Sequence, residues 1–153
     1  MTKSETYDQL ALQLSSLLAG ERDLIANAAN FSSLIFHSLP DLNWAGFYLV
    51  KDGELVLGPF QGQPACVRIK LGQGVCGAGA AKCETVIVPN VHEFPGHIAC
   101  DSASNSEIVV PLMKDSRLLG VLDLDSPLTS RFDRADAAGL EKLVGILLSS
   151  VSS

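Results

Sequence analysis

The hydrophobic period of this chain changes twice, and the order of the changes leaves few folds open. Tyr7, Leu10, Leu14, Leu17 and Leu18 recur at helical spacing, and after Gly20 a second stripe of Leu24, Ala28, Phe31, Leu34 and Ile35 stops before Pro40. The middle of the chain reads as strands. Residues 44–50 and 54–57 flank Lys51-Asp52-Gly53 and predict a hairpin, and 66–71, 85–88, 106–112 and 118–125 predict further strands. Pro111 limits the strand 106–112 near its end, and 114–117 reads as a turn. Residues 73–81, rich in Gly and Ala, predict a short inserted helix. Beyond Pro127, Asp133 is an expected N-cap for a last helix carrying Leu140, Leu143, Val144, Leu147 and Leu148. Strands gathered between helices predict an α+β fold rather than alternating βαβ units. The expected architecture is a central antiparallel sheet with the N- and C-terminal helices packed on one face.

The chain has 153 residues, 47% of them hydrophobic and 18% charged, enough for one domain over 1–153 with a hydrophobic core. A net charge of −6 opposes binding to nucleic acid or to an anionic membrane, both of which ask for a basic surface. The first residues lack the apolar core of a signal peptide, and no run approaches the roughly 18 apolar residues of a membrane span. A cytoplasmic protein is expected. Its four cysteines, Cys66, Cys76, Cys83 and Cys100, should then be mostly thiols, and a disulfide among them would be transient and catalytic rather than structural. His92 and His97 add soft ligands, but the paired spacing of structural zinc sites is missing, so no metal and no cofactor are expected.

One motif misleads. Gly72-Gln-Gly-Val-Cys-Gly77 matches the dinucleotide-binding pattern, and Glu93 lies about 20 residues on, as that pattern asks. The helix would have to fit before Thr85, which is short for a crossover of about 10–12 residues. A tight turn with close backbone packing around Cys76 is the simpler reading.

Two stretches carry chemistry. From Phe94 to Glu107 the chain sets Cys100 in a run of turn formers and hydrogen-bonding side chains, where catalytic groups are commonly placed. His97, three residues earlier, either favours the thiolate or serves as a loop donor. In 119–125 side chains alternate, so Leu119, Val121, Asp123 and Asp125 share one face and Leu122 and Leu124 the other. Two carboxylates at the end of an apolar row suggest a pocket; the alternative is a half-exposed edge with solvated acids. Glu107 by itself reads as a surface residue. Trp44, the only tryptophan, is either core or an aromatic pocket wall. Cys76 reads as a small buried residue, and Cys83 as incidental.

The segments Asn43-Trp-Ala-Gly-Phe-Tyr48, Gly58-Pro-Phe-Gln-Gly62, Ala65-Cys-Val-Arg-Ile69, Gly72 to Gly77, Gly96 to Glu107 and Gly120-Val-Leu-Asp-Leu-Asp-Ser126 together resemble the free methionine-R-sulfoxide reductases, stand-alone GAF-domain enzymes. The resemblance runs from about Trp44 to Leu147 and implies the GAF fold. It implies that Cys100 is the nucleophile and Cys66 the thiol that resolves it, with Cys76 nearby in a role left open. Cys83 matches none of the family's cysteines. Trp44, Glu107, Asp123 and Asp125 fall on substrate-binding positions. The implied activity is reduction of free methionine-R-sulfoxide through a cysteine sulfenic acid and a disulfide, with thioredoxin as the regenerating partner. The oligomeric state is open, a homodimer included. Two other readings compete: a GAF sensor that binds a small ligand without turnover, and a zinc-binding interaction protein.

Overall fold

The structure, a computed structural model, describes residues 1–96 and 103–151. Helix α1 (Lys3–Leu18) starts at Thr2, whose side chain accepts from the Glu5 amide while Glu5 reaches back, a reciprocal capping box. Helix α2 (Leu24–Ser38) is capped by Asp23. Strands β1 (Trp44–Lys51), β2 (Glu54–Gly62) and β3 (Arg68–Lys70) follow, then helix α3 (Gly74–Lys82) and strand β4 (Val86–Val88). A 3-10 turn (Val91–Glu93), which the sequence did not announce, precedes β5 (Ser106–Lys114) and β6 (Arg117–Ser126). Helix α4 (Arg134–Ser150) begins at Asp133, as expected, with Asp136 closing a second capping box.

The six strands form one antiparallel sheet in the order β3-β2-β1-β6-β5-β4. Two two-residue turns set its register. Asp52 and Gly53 join β1 to β2, and Asp115 and Ser116 join β5 to β6, all with positive φ. Two left-handed residues in a row match the twist of the strands they link.

Alternation along the strands divides the core. Ala45, Phe47, Leu49, Ile108, Val110, Leu112, Leu122 and Leu124 face the helical layer, where α2 and α4 lie on the sheet and α1 packs on α4. The terminal helices therefore cover one face, as the sequence led us to expect. Gly139 lets α1 and α4 approach closely: a Cβ there would come within 2.1 Å of the Tyr7 ring. The opposite face carries Trp44, Tyr48, Val109 and Val121, with Val75, Cys76 and Ala80 of α3 packed over it. With both faces covered, a polar side chain on this second face is buried.

Some expectations need adjusting. Leu17 is exposed despite its place in the first stripe. β3 spans only Arg68–Lys70, so Cys66 precedes it. β5 runs through Pro111 to Lys114. β4 pairs with β5 only as far as Val109, so beyond that residue β5 has an open side where a missing N–H costs little.

Candidate active site

Strand register builds the site. Trp44 of β1 stands opposite Asp125 of β6, and Asp125 stands opposite Glu107 of β5, so three side chains line up across three adjacent strands. Asp123 occupies the next position on the same face of β6, opposite Gly46 and Val109. These side chains, with Tyr48, Ile69 and Cys76, line a cavity of about 50 Å³ closed on other sides by Pro64, Ala65, Gln73 and Ser104.

The carboxylates are buried: Glu107 is 7% exposed, Asp123 5% and Asp125 9%. This rejects the half-exposed edge and corrects the surface reading of Glu107, which a lone acid at a strand start could not reveal. Cys76 Sγ lies 3.7 Å from Glu107 Oε2. Burial holds the Glu107 carboxyl well above the usual range, the Asp123 and Asp125 charges push the same way, and its hydrogen bonds to both aspartates favour the protonated acid. The Cys76 thiol is raised by burial first and then by Asp123, Glu107 and Asp125, so it stays protonated. Among the described residues, Cys76, Glu107 and Asp123 also form a potential metal-ligand set, their donor atoms all within 4.8 Å of one another.

Trp44 is both core and wall. It is 2% exposed, stacks on Phe60 at 5.1 Å and on Tyr48 at 6.0 Å, and lines the cavity. Its indole N–H donates to the Gln63 carbonyl at 3.1 Å. Tyr48, which the residue-by-residue reading passed over, donates its hydroxyl to the Cys66 carbonyl at 2.8 Å. Its spacing of four from Trp44 on one strand face was the available signal. Asn43 reaches Ser104 at 3.0 Å beside the cavity.

The cysteines separate. Cys66 is disulfide-bonded. Cys76 and Cys83 are free, and Cys83 is exposed as the left-handed cap of α3, away from the cavity. Cys100 and His97 lie outside the described residues. The Gly72–Gly77 motif is a tight turn into α3. The Gly72 amide donates to the Gly77 carbonyl at 2.8 Å, and a Cβ on Gly77 would meet the Lys70 carbonyl at 2.6 Å. With an antiparallel sheet around it, the motif lacks the parallel βαβ context of a dinucleotide site.

A GAF domain model matches residues 4–149. The free methionine-R-sulfoxide reductase of Escherichia coli is 51% identical over 147 residues, covering 96% of this chain and 89% of that protein. The chain belongs to the free methionine-R-sulfoxide reductase family. Two solved GAF-fold reductases of that family agree closely. The enzyme from Neisseria meningitidis in complex with its substrate is 46% identical, with a TM-score of 0.94 over 98% of this chain and 90% of that one. The reduced form of fRMsr of Staphylococcus aureus is 49% identical, with a TM-score of 0.93 over 95% of each chain.

Proposed function

We propose that this chain reduces free methionine-R-sulfoxide to methionine by cysteine chemistry, and that thioredoxin restores it. The observation that carries the reading is the buried row of Trp44, Asp125 and Glu107, with Asp123 beside it, in one small cavity. A sulfoxide becomes a useful electrophile when its oxygen is protonated. Glu107, held as the protonated acid among two other carboxylates, is the general acid. Asp123 and Asp125 receive the ammonium group of the free amino acid, and Trp44 walls the methylthio end.

Cys100 attacks the protonated sulfoxide sulfur, methionine leaves, and the sulfoxide oxygen stays on Cys100 as a sulfenic acid. The Cys66 thiol then displaces that oxygen as water, forming a Cys66–Cys100 disulfide. Thioredoxin dithiol reduces it by exchange and is itself oxidised to a disulfide. Support comes from the thiol inventory: Cys66 is disulfide-bonded, while Cys76 and Cys83 are free. Cys76, kept protonated by its surroundings, is a poor nucleophile and a poor resolving thiol. Its part is to fill space against Glu107 under the cavity. We place the reaction in the cytoplasm, where thioredoxin is available; among the described residues no helix is long and apolar enough to cross a membrane.

The test is NADPH consumption with thioredoxin, thioredoxin reductase and each epimer of free methionine sulfoxide. Turnover of the R epimer alone is expected, with loss of turnover in Cys100→Ser and near wild-type rates in Cys83→Ser. Binding of the R epimer without methionine release would favour a sensor instead.

A further inference from the structure

The segment from Gln63 to Val67 lies between β2 and β3 and carries Cys66. Three hydrogen bonds pin its backbone. The Trp44 indole donates to the Gln63 carbonyl, the Tyr48 hydroxyl to the Cys66 carbonyl at 2.8 Å, and the Leu57 amide to the Val67 carbonyl at 2.9 Å. Two of the three donors are cavity-wall side chains on one face of β1. They stack on each other at 6.0 Å, and Phe60 backs Trp44 at 5.1 Å. Such a stack has little rotamer freedom, so the donors arrive already placed.

We propose that Tyr48, assisted by Trp44, is a positioning residue for Cys66: the aromatic wall of the pocket holds the redox segment in the place where its thiol can close a disulfide. The inference rests on the proposed resolving role of Cys66. It gives the wall a second duty beyond touching the methylthio end of a substrate. Preorganising a thiol raises its effective concentration towards its partner, because ordering that would otherwise oppose bond closure is already complete. The Tyr48 hydroxyl is suited to the task because burial first, then the nearby acids and Cys76, push its pKa far up and keep it a donor.

Tyr48→Phe keeps the ring on Trp44 and removes only the hydroxyl. The full-length protein is equilibrated with reduced and oxidised glutathione, and the Cys66 disulfide is quantified by peptide mapping. Losing one hydrogen bond is expected to lower its effective concentration about fivefold. Leu55→Val, a trim in the same apolar cluster that leaves all three hydrogen bonds in place, serves as the control and should stay within about twofold, since it alters packing without freeing the segment. An unchanged equilibrium in Tyr48→Phe, or an equal fall in both variants, would overturn the proposal. This measurement needs no substrate, so its failure is separable from failure of the reductase reading, which wild-type protein releasing no methionine would show. In single turnover, Tyr48→Phe should slow sulfenic acid disappearance more than methionine formation, and Cys66→Ser should erase that difference. A difference that persists in the Cys66→Ser background would place Tyr48 on the substrate alone.

Discussion

At the scale of single residues, the defining fact is a carboxyl group held where it cannot easily ionise. Above the ordinary value of 4.5 the unfolded chain releases the Glu107 proton while the folded chain keeps it. Folding stability therefore declines as pH rises from there towards the raised folded value, because the unfolded state binds fewer protons. Glu107→Gln, which can still donate to both aspartates, should be more stable than wild type at pH 8. It should also lose at least about 100-fold in methionine formation. Calorimetry and single-turnover assays check the two halves, and a variant that is both less stable and fully active would refute the assignment. The same acid makes the first step fall with rising pH in the wild type. For substrate choice, N-acetylation removes the ammonium group that Asp123 and Asp125 are proposed to receive. The expected cost is about 10- to 100-fold in kcat/KM per contact, and Asp125→Asn should narrow the gap between free and acetylated substrate. Equal kcat/KM for the two compounds in the wild type would remove the clamp.

At the scale of elements, periodicity carried much of the information. Period 2 in 119–125 placed both aspartates on one face, and helical stripes located α1, α2 and α4. What the sequence could not convey was what covers each face. Glu107 looks like a surface acid until α3 lies across the sheet, and the Tyr48 bond to Cys66 depends on how the loop after β2 returns. Two changes probe the elements themselves. Gly139→Ala would drive a Cβ into the Tyr7 ring and should cost about 1–3 kcal/mol as α1 and α4 are forced apart. Ser116, with φ 64°, holds a left-handed conformation that glycine adopts freely. Ser116→Gly should therefore stabilise the β5–β6 hairpin by several tenths of a kcal/mol, roughly up to 1. Urea midpoints at constant m-value measure both.

At the scale of the whole molecule, the sheet separates labour between its faces. The helical side, with Phe31, Phe47, Leu140 and Leu143 fully buried, supplies cohesion; the α3 side spends burial on acids that destabilise the empty protein. Free methionine-R-sulfoxide at 100 times its Kd should add about 2.7 kcal/mol, raising Tm by about 5–10 °C. The acetylated compound at the same concentration should raise it much less, and an equal rise would show that the acids do not read the ammonium group.

The two-residue turn at Asp115 and Ser116 lies at the opposite end of the β5–β6 hairpin from Glu107 and Asp125. It works as a reading frame. Removing one residue there would slide β6 by one place against β5, sending Asp123 and Asp125 into the helical layer and Leu122 and Leu124 into the cavity. Such a protein would keep every residue of its site in its sequence and present neither aspartate to a substrate. Length at that turn is thus as much a part of the active site's specification as any carboxylate, although it touches nothing that reacts.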